Sequence, residues 1–343
     1  MAARRKLRFW VLGVGVGAGL TSVLAIGLWA LNEPRLSSPR DSQPASFAAT
    51  TTVQPLHGPW VVAVQPGHWE IARLPPELTR LHDNTGAVFG SVREVDINKA
   101  VTDALVAKLE AVGWKAMLVP ATVPPDLRAD AFIAIHADST DGDSGRRGWK
   151  LSAPWRASAD SRALAVSLRQ AFSDVPNLVQ DADGVTVNMR GYFAFNYRRF
   201  VHTISPVTPS VIIELGFISN ATDRALLTGH PDFWANIILE GLERYFASFN
   251  RDDIASLRPL ELPWVAAGPH GVAVRSSPDE QSGVLWTLGP GTVLLPVDVS
   301  GSWYEVFVRR HFATGWIRKS EVAPTADPHW PMPGEHGYGP AGR

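Results

Sequence analysis

The chain contains no cysteine, and that absence removes several kinds of chemistry at once. Disulfide staples, thiolate metal sites and cysteine nucleophiles are all excluded. Any metal site must draw on His, Asp or Glu, a donor set that suits zinc in a hydrolytic role. Zero Cys does not place the chain inside a cell, because an exported protein with a large enough core does without disulfides. Net charge is equally scarce: 32 Lys and Arg against 33 Asp and Glu leave −1 over 343 residues. No strong global field recruits nucleic acid, and no nucleic-acid partner is expected. The length and a hydrophobic content of 45% suit two modest domains plus extensions.

What is present begins with one long apolar run. Residues 9–31 form an uninterrupted uncharged stretch of 23 residues. As a helix it spans about 34 Å at ~1.5 Å per residue, enough for a bilayer core of about 30 Å. Arg4, Arg5, Lys6 and Arg8 precede it. Lys and Arg stay on the cytoplasmic side, so the rest of the chain is expected outside. Trp10 and Trp29 lie near the two ends, where an aromatic belt places them. The reading is a cytoplasmic basic segment at 1–8 and a single transmembrane anchor at 9–31. A cleaved signal peptide is the alternative, although the run is long for one. Residues 32–58, rich in Ser, Pro, Thr and Ala, read as an extracytoplasmic linker.

From Pro59 the texture changes. Val61 to Val64 is a short apolar run ending at a turn, Gln65-Pro66-Gly67-His68. Ile97, Val101, Leu105, Leu109 and Val112 fall on one stripe, which predicts a helix over 94–112 stopped by Gly113. Strands are expected at 115–119, at 132–135 ending at His136, and at 211–213 leading into Glu214. Leu164, Leu168, Ala171 and Phe172 stripe another helix, and a further long helix is expected over about 232–249. Alternating strands and helices predict an α/β domain over 59–250, with a mostly parallel sheet covered by helices. Sites in such sheets form beyond the carboxyl ends of strands, where His68, His136 and Glu214 are expected to fall. A linker is read at 251–261. Short β-like segments between Gly and Pro turns at 262–324 predict a small all-β barrel, and 325–343 reads as a disordered tail.

Two His and one carboxylate can bind zinc tetrahedrally and leave a fourth position to water, whose proton a nearby carboxylate accepts. The α/β domain offers such a set. Glu94 opens a helix, and Asn98 lies one turn later on the same face. With ten His in the chain, spacing alone does not prove a site.

Four ordered blocks make the signal specific. Val-Gln-Pro-Gly-His (64–68), Arg-Glu-Val-Asp-Ile-Asn (93–98), Ala-Ile-His-Ala-Asp-Ser (134–139) and Ile-Glu-Leu-Gly-Phe-Ile-Ser-Asn (213–220) resemble, in order, blocks of the type 3 N-acetylmuramoyl-L-alanine amidases. The resemblance covers Val61 to Asn220. It implies zinc held by His68, Glu94 and His136, with Glu214 as the catalytic carboxylate. It also implies peptidoglycan as substrate, in an enzyme carried on the outer side of a bacterial cell membrane or secreted after signal cleavage. The family's Asp before Pro-Gly-His is Gln65 here, and its Gly-Gly after the His is Trp69-Glu70. Those departures motivate the alternative, a degenerate amidase acting as a non-catalytic wall-binding or regulatory protein. The sequence identifies no protein activator.

Other residues carry competing readings. Asn98, His202, Gln65 and Trp69 are candidates for contact with substrate or with the ligands. His202 follows the aromatic stretch 192–200, which can wall a cleft. His82 reads as a solvated loop residue and Asp96 as a helix-start acid. Arg190, Arg198 and Arg199 can meet peptide carboxylates, but a solvated face is the simpler reading. The segments 272–278, 301–306 and 314–317 resemble bacterial SH3-like domains, which implies either an aromatic groove for wall peptide or a packing module with Trp303 and Trp316 in its core.

Overall fold

The computed structural model describes residues 58–140, 142 and 145–328. The expected basic segment, the 9–31 anchor, most of the 32–58 linker and most of the 325–343 tail lie outside the described residues. Among those described, no helix is long and apolar enough to cross a membrane.

The described residues open with β1 (Val61–Pro66), a two-rung hairpin of β2 (Val88–Phe89) and β3 (Val92–Arg93), and α1 (Glu94–Ala111). Then come β4 (Lys115–Leu118), β5 (Ala131–Asp138), β6 (Lys150–Ser152), α2 (Ala159–Ser173) and α3 (Val187–Arg190). The unit is completed by β7 (Ser210–Phe217), α4 (Ala221–Gly229), α5 (Pro231–Phe246) and α6 (Ile254–Leu257). One sheet runs in the order β4-β1-β5-β7-β6. Its first four strands are parallel, and β6 joins antiparallel at the edge.

The two faces of this sheet are covered differently, which corrects the expectation of helices throughout. Val62, Val64, Ile133, Ile135, Val211 and Ile213 pack with the apolar stripes of α1, α2 and α5. Stripe residues Ile97, Val101, Leu105 and Leu109 are the ones that predict α1. Val61, Ala63, Phe132, Ala134 and Ile212 point the other way, as the two-residue period of a strand requires. They meet cover without long helices: the short 3-10 turns over 71–81, the 119–129 segment and the aromatic stretch 193–204. Irregular backbone on that face leaves room for polar side chains, and all of the candidate residues on the strands project there.

A second unit is entirely β: β8 (Trp264–Ala267), β9 (Val272–Arg275), β10 (Val284–Leu288), β11 (Val293–Ser300), β12 (Trp303–Val308), β13 (Ala313–Arg318) and β14 (Val322–Thr325). They form a seven-stranded sheet in the order β10-β9-β13-β12-β11-β8-β14. Val265, Val274, Leu294, Val306 and Ile317 fill its core. Trp303 is buried, while Trp316 is half-buried. The stretch read as a linker carries α6, and Arg251 clamps Asp130 through Nε and Nη2 at 2.7 and 2.6 Å.

The two units are joined by a mixed contact. Trp155 packs with Leu295, Val297 and Phe307 in a separate apolar cluster. Around it, Arg190 meets Glu305 with two bonds of 2.6 and 2.7 Å, and Arg162 meets Asp298 at 3.0 and 2.7 Å. Arg190 is therefore a pairing residue between the units, not part of a solvated face. A paired guanidinium fork is well matched to a carboxylate and tolerates partial burial better than an ammonium does.

Candidate metal centre

Three strands and one helix bring the chemistry together. The turn after β1 is tight. Gly67 N donates to Ile135 O at 2.8 Å, and a Cβ on Gly67 would lie 2.3 to 2.6 Å from the His136 ring, so only glycine fits. His68 and Glu70 then adopt left-handed backbone, with φ of 65° and 58°. Such residues cost on the order of 1–2 kcal/mol each, and the surrounding contacts must hold them there. The reversal aims the His68 ring back at the first turn of α1. Gly86, at φ 84°, lets the preceding loop pass close: a Cβ there would come within 2.9 Å of both Glu94 Oε2 and His68 Cδ2.

Glu94 is the first residue of α1 and is buried between two imidazoles. Its Oε1 lies 3.3 Å from His68 Nε2 and 3.0 Å from His136 Nδ1. Its Oε2 accepts from Ala87 N at 2.8 Å. One ligand atom from each of His68, Glu94 and His136 lies within 4.8 Å of the others, a spacing that could hold a metal ion. The ring orientations are fixed from behind. His68 Nδ1 lies 2.6 Å from Asn84 O, so it carries the proton and turns Nε2 toward Glu94. Asn98 Nδ2 donates to Glu94 Oε1 and to Gly67 O, each at 3.2 Å, which places it behind the carboxylate.

His136 has a partner that sequence reasoning did not single out. Its Nε2 lies 3.3 Å from the Tyr192 hydroxyl, which donates to Gln65 Oε1 at 2.9 Å, while Gln65 Nε2 donates to Pro120 O at 2.8 Å. Tyr192 is separated from these residues by 56 and 127 positions, and no periodicity or motif marks it. Gln65 is fully buried and uses both amide atoms, so the change from the family's Asp comes with its own set of partners. Burial, then the charges of Glu94 and Glu214, push the Tyr192 pKa up, so the phenol keeps its proton and donates it to Gln65.

Glu214 stands on the same rung as His136, because the two are register partners across β5 and β7. It lies inside β7, not at its end. The strands continue past it through a register shift to Asp138 and Phe217. Lys150 of β6 is the register partner on its other side. Glu214 keeps partial exposure, but its Oε2 is out of reach of solvent and has no hydrogen-bond partner among the described residues. Burial, then the charges of Asp138 and Glu94, push its carboxyl well above the usual range, with Lys150 opposing. Lys150 is buried and bonds Asp138 Oδ2 at 2.5 Å. Glu94 goes the other way: burial opposes its ionisation, but His68 and His136 hold its carboxyl well below the usual range. Two carboxylates with opposite shifts at one cluster are the pattern expected where one group stays charged and another exchanges protons.

Other candidates lie apart from this cluster. His202 Nδ1 pairs with Glu77 at 2.7 Å on the aromatic cover. Trp69 lies under Lys99, whose Nζ is 5.2 Å from the ring, so it packs toward α1. His82 is half-buried and donates from Nε2 to Leu74 O at 2.9 Å, rather than being a solvated loop residue. Asp96 is exposed beside Arg93, as a helix-start acid should be. Arg198 meets Glu261 at 3.3 Å.

Comparison with known proteins gives the same direction. A probable cell wall amidase, LytH, of Staphylococcus epidermidis is 29% identical over 125 residues, covering 36% of this chain and 38% of that protein. The protein of that name from Staphylococcus aureus is 28% identical over 125 residues. The chain thus matches little more than a third of the length of these curated relatives. Among solved structures, the N-acetylmuramoyl-L-alanine amidase AmiC2 of Nostoc punctiforme aligns at 19% identity, over 55% of this chain and 98% of that one, with a TM-score of 0.40. The CwlD amidase of Clostridioides difficile aligns at 20% identity, over 55% and 100%, with a TM-score of 0.38. The family model described as N-acetylmuramoyl-L-alanine amidase matches residues 62–244, which is more than half of the sequence, and the chain therefore belongs to that family.

Proposed function

We propose that the protein is a zinc-dependent hydrolase that cuts the amide between the lactyl group of N-acetylmuramic acid and L-alanine in peptidoglycan. The observation that carries this reading is the His68–Glu94–His136 cluster with the unpartnered Glu214 oxygen one strand away. The donor set fits zinc: two neutral imidazole nitrogens and one ionised carboxylate, with no thiolate in the chain. The backing of His68 by Asn84, Glu94 by Ala87 and Asn98, and His136 by Tyr192 is the outer support such ligands need. Zinc bound there supplies Lewis-acid polarisation of the scissile carbonyl and lowers the pKa of the attacking water.

The chain's own residues do the rest. The Glu214 carboxylate accepts the proton of the water as the water oxygen attacks the carbonyl carbon. The same carboxyl group returns that proton to the alanine nitrogen as the C–N bond breaks. A carboxyl with a raised pKa suits both halves of this exchange, because it holds the proton between them. Tyr192, hydrogen-bonded to Gln65, keeps the His136 ring turned toward Glu94.

The 9–31 segment is proposed to anchor the enzyme on the outer side of a bacterial membrane, within reach of the wall. The β unit, SH3-like in its motifs, is proposed to dock on the catalytic unit and to contribute to wall contact. Glu214→Ala tests the central claim, with clearing of a peptidoglycan zymogram and mass spectrometry of the soluble products. Wild type should release stem peptides that begin with a free L-alanine amine, and the variant should release none while keeping its zinc. Equal clearing by both sinks the assignment and leaves a non-catalytic wall-binding role.

A further inference from the structure

Beside the contact between the two units, the α/β unit carries a small, partly open cavity with an unusual lining. It has a volume of about 40 Å³, with Trp155, Arg156, Arg190, Tyr192, Tyr197 and Arg198 among its walls. Three guanidinium side chains line it, and no carboxylate does. That volume accommodates a small polar group, since one water needs only ~10–15 Å³ on the same measure. Arg190 is committed to Glu305 through both Nη atoms, and Arg198 has Glu261.

Arg156 is different. It is only 6% exposed, its Nε donates to Pro296 O at 3.0 Å, and its Nη2 has no hydrogen-bond partner among the described residues. A buried cation with no carboxylate bonded to it is costly, and folded proteins usually pair it. Burial, followed by the Arg198 charge, pushes its pKa down to about 10, and the nearby charges of Glu261 and Asp327 offset only part of that, so the group remains charged near neutral pH. The backbone adds a second oddity. Arg156 has φ 54°, a left-handed conformation for a residue with a full side chain. It is pinned there on both sides: its N–H donates to Val297 O and its C=O accepts from Leu260 N, each at 2.8 Å. Such outliers persist where the surrounding structure over-determines them, and they concentrate at binding sites.

The position relative to the metal centre completes the case. Tyr192 lines the cavity, and its hydroxyl lies 3.3 Å from His136 Nε2. One side chain therefore separates the arginine cavity from the candidate metal ligands. We propose that this cavity is a substrate subsite in which Arg156 binds a carboxylate of the peptide attached to the scissile amide. The proposal rests on the amidase reading and specifies which part of the substrate the domain junction recognises. It also gives the β unit an indirect part in substrate choice, because Pro296 and Val297 hold Arg156 in place.

The test compares two soluble substrates on the zinc-loaded full chain: an N-acetylmuramoyl peptide, and the same compound with its peptide carboxylates converted to carboxamides. Wild type should prefer the carboxylate form by about tenfold or more in kcat/KM, mostly through KM. Arg156→Met, checked for unchanged zinc content and melting temperature, should lose that preference and keep its kcat on the carboxamide. If Arg156→Met does not fold, Arg156→Lys replaces it. Lysine lacks the planar fork, so a reduced preference supports the subsite and a full wild-type preference overturns it. A preference that survives in Arg156→Met assigns recognition elsewhere and overturns the proposal. Equal rates on both substrates with wild type overturn the subsite and leave the amidase reading standing. Cleavage of neither substrate overturns the amidase reading, and the subsite falls with it.

Discussion

The candidate metal centre and the ion pairs between the two units are both organised by charge, yet they use it in opposite ways. At the candidate metal centre, one carboxylate faces two imidazoles, and a second, Glu214, keeps an oxygen without a partner among the described residues. At the junction, Arg190 and Arg162 each close on a carboxylate through two bonds. Unused bonding capacity is what a ligand or a proton requires. Complete pairing is what holds two bodies in one arrangement. The two regions meet at α3 and its continuation, where Arg190 belongs to the closed junction and Tyr192, two residues on, touches the metal centre.

The largest effect is expected from removing a ligand. His136→Ala should lose stoichiometric zinc and bring hydrolysis to background, as read by metal analysis and product release. Retained stoichiometric zinc would break the comparison on the side of the metal centre. Next is Glu305→Ala, which strands a mostly buried guanidinium. A loss of about 2–3 kcal/mol in denaturant unfolding is expected, below the full cost of breaking a deeply buried pair. Because Arg190 precedes Tyr192, the same variant should also weaken zinc binding in a chelator competition. Unchanged zinc affinity would show that the two regions are energetically separate.

Tyr192→Phe isolates the shared residue. Deleting one hydroxyl behind His136 should cost about tenfold in zinc affinity, by chelator competition, with little change in melting temperature. A fourth prediction concerns pH in the metal-free protein. The Glu94 carboxyl is depressed in the folded state, so its stabilisation is present above the ordinary glutamate range. That stabilisation is lost as pH falls below that range and through the lower folded value. The wild-type melting temperature should therefore drop more steeply between pH 7 and pH 3 than that of Glu94→Gln. The smallest effect belongs to Asp298→Ala. Arg162 is more exposed than Arg190, so its loss should cost only about 0.5–1 kcal/mol, despite equally good geometry.

The same contrast explains what could be read from the sequence. His68, Glu94, His136 and Glu214 sit in short contiguous blocks, because each depends on local backbone: the Gly67 turn, the first turn of α1, and the alternation of β5 and β7. The stripe that predicts a helix over 94–112 yields α1 at Glu94–Ala111 for the same reason. Tyr192 and Glu305 act across 56 to 127 residues of sequence, and nothing local records such pairings. The arginines at 190, 198 and 199 therefore read as a solvated face, although Arg190 is a closed pair. Edge strand β6 was also invisible: it has three residues, and a lysine at its start argues against burial. Lys150 is nonetheless buried, because Asp138 and Asp181 accept its protons and Phe217 lies beneath it at 4.2 Å. The expectation that Glu214 marks a strand end failed because β7 continues to Phe217 beyond it.

Placing His136 and Glu214 on one rung has a consequence for how this fold can vary. Their separation is set by the distance between neighbouring strands, roughly 4.8 Å, and by no hinge or flexible loop. Loops that do not touch the four residues can therefore lengthen or change sequence without altering that spacing. A single-residue deletion in β7 ahead of Glu214 is a different matter. It would turn Glu214 into the helix-packed core and present an isoleucine or leucine to the metal ligands. Diversity among proteins built this way should accumulate in segments such as 139–147 and 176–186. Insertions and deletions within β5 and β7 should be selected against even where the side chains are interchangeable.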